Sequence, residues 1–409
     1  MEALTKRKRR LSLSSIFFTF FVDNLSWSIV FPIFAPYFLD VNNKLFTPDI
    51  ELGTRATILG VFLAIFPLGQ FFGAPIMGEY ADRVGRKKAL LYTIFFAAIG
   101  LILSAISIGK GWLVLLFFSR LMTGIFSGNL SICLAAIVDL SADERSRVKH
   151  FGYLAGVAGF SFILGAFLGG KFSDNMISDW FNPAFPFWIG VFLTILNLLF
   201  VLFLFKETKE PDETVKFDFL ESIHNVQKGF RIQRLKMIYV IYFLFLFAWN
   251  ILLQFTPVIA IENFQFTNSE IGDMAAFMGV CWIVGAGYFG KVLIKRFNGF
   301  KILEFCLIAF TICCSLIVFP RHIGFLLFLV GLCVIFSAIA WPLCTNLISM
   351  RAGKEIQGKV LGISQSMQSL AMAISPMVGA VTYISMELPF IVAGLSSFLA
   401  GIFYFRLPK

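Results

Sequence analysis

The fold of this chain is decided by a short polar stretch between two apolar windows, which reads GEYADRVGRKK at residues 78–88. The stretch combines an acid, glycines that permit a tight turn and a cluster of basic residues. The windows beside it, 55–81 and 88–108, are long enough to cross a hydrocarbon core, because roughly 20 apolar residues span it as a helix. We therefore predict a charged loop at a membrane surface.

Composition extends this interpretation to the whole chain. Of its 409 residues, 58% are hydrophobic and 14% are charged, and the mean hydropathy is +0.84. A soluble domain would be about a quarter charged, so most of this chain requires a non-aqueous solvent. The sequence predicts an all-α membrane protein with transmembrane helices at 13–38, 55–81, 88–108, 111–140, 148–171, 184–206, 234–262, 269–297, 300–319, 323–350, 358–385 and 387–406.

These twelve predicted spans divide into two halves of six. Residues 1–206 form the N-terminal half, 207–233 a polar linker, and 234–409 the C-terminal half. When the second half is laid on the first, Gly169 coincides with Gly379, and in both halves a basic turn precedes a helix rich in small residues. Such an internal repeat is typical of secondary transporters.

The distribution of basic residues predicts the orientation. Lys and Arg in short loops stay on the cytoplasmic side, and most of the 34 in this chain fall in alternate connections and in the two tails. We expect both termini in the cytoplasm and a multi-pass protein of a bacterial inner membrane. Few basic residues fall on the other side: Lys44, Arg55, Lys110, Lys171 and Arg321.

The loop at 78–88 matches the pattern G-x-x-x-D-R-x-G-R-K at every fixed position, and in this the sequence resembles the major facilitator superfamily. The resemblance implies twelve helices in two six-helix pseudo-repeats that give alternating access. Charge pairs of this loop would hold one conformation closed and break in the other. The residues expected to act in this gating are Gly78, Asp82, Arg83, Gly85, Arg86, Lys87, Asp139 and Arg145.

Two ionisable residues lie inside predicted spans. Arg120 interrupts the fourth window, and a guanidinium at membrane depth costs several kcal/mol unless it meets an acid or a water-filled cavity. Asp23 in the first window is the predicted acid partner. An Asp followed by Pro32 and Pro36 is similar to the tetracycline/proton antiporter branch of the family. We predict that Asp23 and Arg120 couple transport to protons.

The fifth window resembles the glycine signature of the antiporters, with two departures. Ser161 replaces a glycine and Ala166 replaces the proline. Small residues at this spacing allow helix backbones to approach closely, so the packing role is expected to persist while the inference of antiport weakens. The residues predicted to pack in this way, including a related group in the eleventh window, are Gly152, Gly159, Gly165, Gly169, Gly170, Pro376 and Gly379.

The substrate is expected between windows one, four, seven and ten, with help from window eleven. Aromatic and amide side chains with few fixed charges suit an organic molecule that has apolar and hydrogen-bonding parts. We expect no metal and no cofactor besides the proton gradient, because no clustered metal-ligand spacing or nucleotide-binding motif is present. The candidate residues are Asn24, Trp27, Asn129, Trp249, Asn250, Gln254, Trp341, Thr345, Asn346, Gln365 and Gln368.

The sequence thus predicts a proton-coupled secondary transporter and not an enzyme. Export of a small organic molecule by proton antiport is the leading hypothesis. Import of a metabolite or a siderophore-like chelate by proton symport is the alternative. A protein of another class, a membrane receptor or scaffold that transports nothing, would tolerate loss of Asp23. The expected partners are the substrate, protons and the lipid bilayer; no nucleic acid is expected, and the protein is predicted to be a monomer.

Overall fold

The computed structural model describes residues 6–40, 43–141, 143–211, 233–319, 322–351, 357–383, 385 and 387–407. Every regular element in these ranges is a helix. The first half of the chain contains α1 (Lys6–Ser28), α2 (Phe31–Leu39), α3 (Leu52–Val84), α4 (Arg86–Lys110), α5 (Leu113–Phe126), α6 (Asn129–Leu140), α7 (Glu144–Ser173) and α8 (Phe185–Leu204).

The second half of the chain has the same character. A π-helical turn, Gly285–Phe289, and a 3₁₀ helix, Ser375–Tyr383, interrupt two of its spans. Its α-helices are α9 (Gln233–Phe264), α10 (Asn268–Val284), α11 (Gly290–Arg296), α12 (Gly299–Leu316), α13 (Ile323–Arg351), α14 (Gln357–Ile374) and α15 (Leu388–Phe405).

Eleven stretches of the described residues are long and apolar enough to cross a membrane. They coincide with eleven of the predicted windows, and α14 with the following 3₁₀ helix occupies the remaining one, 358–385. That segment is less apolar because it carries several Ser and Gln residues, so hydropathy alone marks it weakly. The predicted all-α membrane fold is confirmed.

In the first half of the chain, two of the predicted spans are broken into shorter helices. The first is interrupted at Ile29 and Val30, just before Pro32, which cannot donate a helical hydrogen bond. The fourth, predicted as one helix over 111–140, is interrupted at Ser127 and Gly128. A Cβ atom on Gly128 would lie 3.0 Å from the Cα atom of Ala74, so the break lies against the backbone of α3.

Polar residues fix the beginnings of two helices outside the apolar windows. Thr267 and Glu270 form a reciprocal capping box at the start of α10. Asp143 caps α7, where its carboxylate accepts the Ser146 backbone N–H at 2.7 Å. The hydrogen bonds from Ser146 hold the pKa of this exposed carboxyl below its usual value. Each cap satisfies backbone donors that a helix start leaves unpaired.

The two halves of the chain meet through α7 against α10 and through α3 against α14. We call the end of the bundle where α4 and α7 finish the distal end, opposite the N-terminus of α1. There the Lys171 Nζ lies 3.0 Å from the Asp273 Oδ2. Nearby, a Cβ atom on Gly272 would lie 3.0 Å from the Cα atom of Gly170, so the helices touch backbone to backbone. This end of the molecule is therefore closed.

The contact of α3 with α14 repeats this arrangement. The Ser369 hydroxyl donates to the Gln70 Oε1 at 3.1 Å. Closer to the distal end, a Cβ atom on Gly60 would lie 3.3 Å from the carbonyl oxygen of Pro376. The predicted linker, 207–233, is described only through Pro211 and again from Gln233, so its middle lies outside the described residues.

Candidate functional site

The acid of the first span is held by a short chain of hydrogen bonds. Asp23 lies on α1, and its Oδ1 accepts a hydrogen bond from the Asn129 Nδ2 on α6 at 3.1 Å. The fully buried Asn129 in turn accepts from the Thr93 hydroxyl on α4. The Asp23 Oδ2 is buried and has no hydrogen-bond partner among the described residues. One carboxylate oxygen is thus held by the Asn129 amide, and the carboxylate retains the capacity to accept a proton.

The arginine of the fourth span has an aromatic environment. Arg120 is 2% exposed, and its Cζ lies 4.7 Å from the centre of the Phe66 ring and 5.7 Å from that of Phe34. Its Nε and Nη1 are buried without a hydrogen-bond partner among the described residues. Attraction between the cation and the rings offsets only part of the cost of burying the charge. Arg120 therefore carries an uncompensated charge in this conformation.

The predicted pairing of Asp23 with Arg120 is not formed here, and no ion pair joins these two described side chains. Arg120 precedes Asn129 by nine positions, which would be roughly 14 Å at about 1.5 Å per residue if α5 and α6 were one continuous helix. Asp23 lies beside Asn129, whereas Arg120 lies beside Phe34. The two ionisable groups therefore occupy different depths of the same half.

Residues 78–88, predicted as a loop, are helical except at Gly85. The turn at Gly85 wraps around the carboxylate of Glu207, which follows α8. Glu207 accepts the backbone N–H of Arg86 at 2.7 Å and that of Lys87 at 3.0 Å, which caps the start of α4. Gly85 has a φ of +93°, and a Cβ atom there would lie 2.5 Å from the Glu207 Oε2. The motif glycine is therefore required both by the backbone conformation and by the space that Glu207 fills.

Side chains at the start of α4 join it to the ends of α6 and α8. The Arg86 Nε lies 3.5 Å from the Asp139 Oδ2, and Thr208 donates to the same oxygen at 3.2 Å. The Lys87 Nζ donates to the Leu202 carbonyl at 2.7 Å. Arg83 is exposed and Gly78 half-buried. The side chains of Asp82 and Arg145, two predicted gating residues, lie outside the described part of the structure.

The small residues of α7 contact α1 and α10. A Cβ atom on Gly165 would lie 2.7 Å from the Leu25 carbonyl oxygen, and one on Gly169 would lie 2.5 Å from that of Ile29. On the side facing α10, a Cβ atom on Gly159 would lie 2.9 Å from an Ile283 side-chain carbon. Three other predicted packing residues also contact neighbouring helices: Gly170, Pro376 and Gly379. The side-chain environment of Gly152 lies outside the described part of the structure.

Aromatic side chains from both halves gather between the halves. The Trp27 and Phe162 rings lie 5.8 Å apart, and Trp249 and Trp282 lie 5.3 Å apart. These four rings pack against the same buried apolar cluster of the second half of the chain. The Trp341 ring lies 6.4 Å from that of Trp282. The structure thus brings together three predicted tryptophans, Trp27, Trp249 and Trp341, with two aromatic residues that were not predicted.

The amide and hydroxyl candidates are bonded mainly to their own helices. Asn24, Asn250 and Thr345 each donate to the backbone carbonyl four residues earlier. The Gln254 Nε2 lies 3.5 Å from the Met372 carbonyl of α14, and its Oε1 is buried without a partner in the described residues. Asn129, also a predicted substrate residue, holds Asp23 instead. The remaining candidates are half-buried or exposed: Gln365, Gln368 and Asn346.

Four residues of these sites were missed from the sequence. Thr93 and Phe162 look like ordinary packing residues, and Trp282 belongs to a window that was not assigned to the substrate. Glu207 was placed at the start of the linker. The signal that could have revealed it is its position, since an acid directly after an apolar span lies at the surface where the basic loop 78–88 is expected.

The family model described as the Major Facilitator Superfamily matches residues 16–334 and 287–409 of this chain. The chain therefore belongs to the major facilitator superfamily. It is a multi-pass transporter of that family and not an enzyme, in agreement with the prediction from the loop at 78–88.

Curated relatives cover most of this chain. The class B tetracycline resistance protein of Escherichia coli is 26% identical over 80% of this chain and 79% of its own length. The class H protein of Pasteurella multocida is 24% identical over 82% of this chain and 81% of its own length. Multidrug resistance protein 2 of Bacillus subtilis is 25% identical over 93% of this chain and 90% of its own length.

Solved structures show the same fold. A human organic anion transporter has a TM-score of 0.74 and 19% identity, covering 97% of this chain and 99% of its own. A D-xylose-proton symporter has a TM-score of 0.75 and 16% identity, covering 98% of this chain and 96% of its own. At these identities the likeness concerns the architecture alone.

Proposed function

We propose that this transporter exports a small organic molecule in exchange for protons. The observation that carries the proposal is Asp23, an acid inside the first span with one oxygen held by Asn129 and the other unpartnered. Such an acid can bind and release a proton as its surroundings alternate between dry and hydrated. A group with that property is what proton coupling requires.

The relatives favour antiport over the alternatives. Proteins named for tetracycline resistance and multidrug resistance match four-fifths or more of this chain. The aromatic group of Trp27, Phe162, Trp249 and Trp282 supports an organic substrate, because apolar walls with few polar groups bind such molecules. Tetracycline is therefore the first compound to test.

In the proposed cycle the two halves rock about the site and open it to each side in turn. The ion pair of Lys171 with Asp273 closes the distal end in the conformation described above. In the opposite conformation, we expect Arg120 to gain an acidic partner, since a buried guanidinium without one is costly. We further propose that the protein acts as a monomer in the cytoplasmic membrane, with both termini in the cytoplasm and the proton gradient as its energy source.

The test is proton flux in sealed proteoliposomes that hold a pH-sensitive dye. Addition of tetracycline, or of a compound from a panel of aromatic drugs, is expected to drive proton movement in the native protein and none in Asp23→Asn. Asp179→Asn is the matched control, because Asp179 is an exposed loop residue. Proton flux that persists in Asp23→Asn would overturn the role of Asp23.

Import by proton symport is the second candidate, and Ala166 favours it. This residue stands where antiporters resembling this chain carry proline, and its carbonyl oxygen lies 3.1 Å from where a Cβ atom on Gly272 would be. The sign of the proton flux separates the two: antiport drives protons and substrate in opposite directions, and symport in the same direction. A receptor or scaffold would give no substrate-dependent flux at all.

A further inference from the structure

We propose that Thr93 and Asn129 are positioning residues that keep Asp23 hydrogen-bonded both as a carboxylate and as an acid. This inference rests on the proposed function, in which Asp23 gains and loses a proton. Among the described residues, the hydrogen bonds of Thr93 run to Asn129 and to the carbonyls of Ala89 and Leu90, so it reaches Asp23 through Asn129.

When Asp23 is ionised, hydrogen bonds run in one direction from Thr93 through Asn129 to the Asp23 carboxylate. The Thr93 hydroxyl donates to the Asn129 Oδ1, and the Asn129 Nδ2 donates to the Asp23 Oδ1. A carboxylate only accepts hydrogen bonds, so the amide must turn its nitrogen toward it. In this state the Thr93 hydroxyl supports that orientation, because it donates to the amide oxygen on the opposite side. Bonds to an ionised acceptor are also the stronger ones.

The same three side chains can serve the protonated state after one rotation. If the Asn129 amide turns over, its oxygen accepts from the newly formed acid O–H and its nitrogen donates to the Thr93 oxygen. The Thr93 hydroxyl then needs a new acceptor, and the carbonyls of Ala89 and Leu90 both lie 3.0 Å away. A hydroxyl can both donate and accept, so the two hydrogen bonds of this relay of Asp23, Asn129 and Thr93 can form in either state.

The ability to bond both forms of Asp23 is important because the relay is buried. Asn129 and Thr93 are both fully buried, and a buried polar group without a partner is costly. A side chain that served only one form of Asp23 would trap the acid in that form. The Asn129 amide, hydrogen-bonded to the Thr93 hydroxyl, can serve both forms, so Asp23 can gain and lose its proton.

Other ionisable groups near Asp23 are few in the described residues. Cys133 follows on α6, one turn after Asn129, and is fully buried. On α7, His150 and Tyr153 contact Phe17, which lies about 9 Å along α1 from Asp23 at about 1.5 Å per residue.

The remaining elements packed against α1 carry no charge near the relay. Residues 154–170 of α7 and the whole of α8 contain no ionisable side chain. Tyr37 of α2 donates to the Ile108 carbonyl at the distal end, and Tyr92 of α4 packs on Phe126. Arg120 lies at another depth, as described above. Besides its burial, the hydrogen bond from Asn129 is therefore the direct polar contact of Asp23 in the described residues.

The experiment is infrared titration of the purified protein in detergent, which needs no substrate. The reference signal is the carboxylic acid C=O band that disappears in Asp23→Asn. Thr93→Val removes the hydroxyl at nearly constant shape, and we expect it to move the midpoint of that band by at least about 0.5 pH unit, a threefold change in proton affinity. Thr93→Ser retains the hydroxyl and is expected to restore the native midpoint.

Asn129→Leu gives a second signature. Because it removes the acceptor of the acid O–H, we expect the C=O band to move to higher frequency. The matched control is Thr194→Val, since Thr194 is buried on α8 and, among the described residues, donates to the Gly190 carbonyl of its own helix. It is expected to leave both the midpoint and the frequency unchanged.

The outcomes separate this inference from the proposed function. A native midpoint in Thr93→Val, or a shift that Thr93→Ser does not restore, would overturn the relay even if proton flux depends on Asp23. Conversely, a transporter without substrate-driven proton flux would remove the proposed function, while the infrared shifts would still report whether the relay exists.

Discussion

At the scale of single residues, Gly85 shows how one backbone conformation depends on a distant carboxylate. Its φ of +93° and its contact with Glu207 leave no room for a side chain. We predict that Gly85→Ala lowers the free energy of unfolding by about 1–3 kcal/mol, because it adds backbone strain and displaces Glu207 from the start of α4.

The measurement is thermal unfolding of the purified protein in detergent. Gly401→Ala is the matched control, since nothing lies within 4 Å of a Cβ atom at Gly401 and alanine favours helix. Equal melting temperatures for the two variants would show that Glu207 does not cap α4 in the way described.

The sequence revealed some of these residues and not others, for a physical reason. Asp23 and Arg120 stand out because a charge in an apolar window is costly and therefore rare. Thr93 and Asn129 are uncharged and do not stand out in this way, so only their contacts reveal the relay. Pairing Asp23 with Arg120 required their relative depth, which depends on how α1 lies beside the two helices of the fourth span and is absent from the local pattern.

At the scale of helices, the small residues of α7 allow close contact with α1. Gly165→Ala would place a Cβ atom 2.7 Å from the Leu25 carbonyl oxygen and closer still to the Ser28 hydroxyl. We predict a loss of about 1–3 kcal/mol of stability, because the backbone of one helix must move.

A control lies on the same helix. Nothing lies within 4 Å of a Cβ atom at Gly156, so Gly156→Ala is expected to unfold at the native temperature or slightly above. The two variants are compared by thermal unfolding in one detergent. If Gly156→Ala is destabilised more than Gly165→Ala, the described contact of α7 with α1 is wrong.

The presence of each helix could be predicted from the sequence, whereas the breaks within the spans could not. Apolar windows give the spans directly, because the bilayer requires about 20 apolar residues in each. Pro32 marks the break between α1 and α2, but the break before Asn129 has no proline. It arises where Gly128 meets Ala74 of α3, and that neighbour is distant in sequence.

At the scale of the whole molecule, the closed distal end depends partly on one ion pair. Lys171 Nζ lies 3.0 Å from Asp273 Oδ2 and also donates to the Ser269 hydroxyl at 2.5 Å. A partly exposed ion pair contributes about 0.2–1 kcal/mol. We predict that Asp273→Asn raises the ratio of distally open to closed molecules by up to about fivefold.

Spin labels introduced at Lys110 and Phe319 would measure this change, since both positions are exposed at the distal end. The seven native cysteines are buried, which limits background labelling. Exchange of the two charges, Lys171→Asp with Asp273→Lys, is expected to restore the native distance distribution. A distribution that is the same in all three proteins would show that the ion pair does not hold this end closed.

The central claim is that a proton on Asp23 is exchanged for substrate. It is tested most directly by adding tetracycline, or another compound that drives flux, to the detergent-solubilised protein in weakly buffered solution and recording the pH. The account predicts that substrate binding releases protons from the native protein and from Asp179→Asn, and releases none from Asp23→Asn. Substrate binding to the native protein without proton release, or equal release from Asp23→Asn, would contradict it.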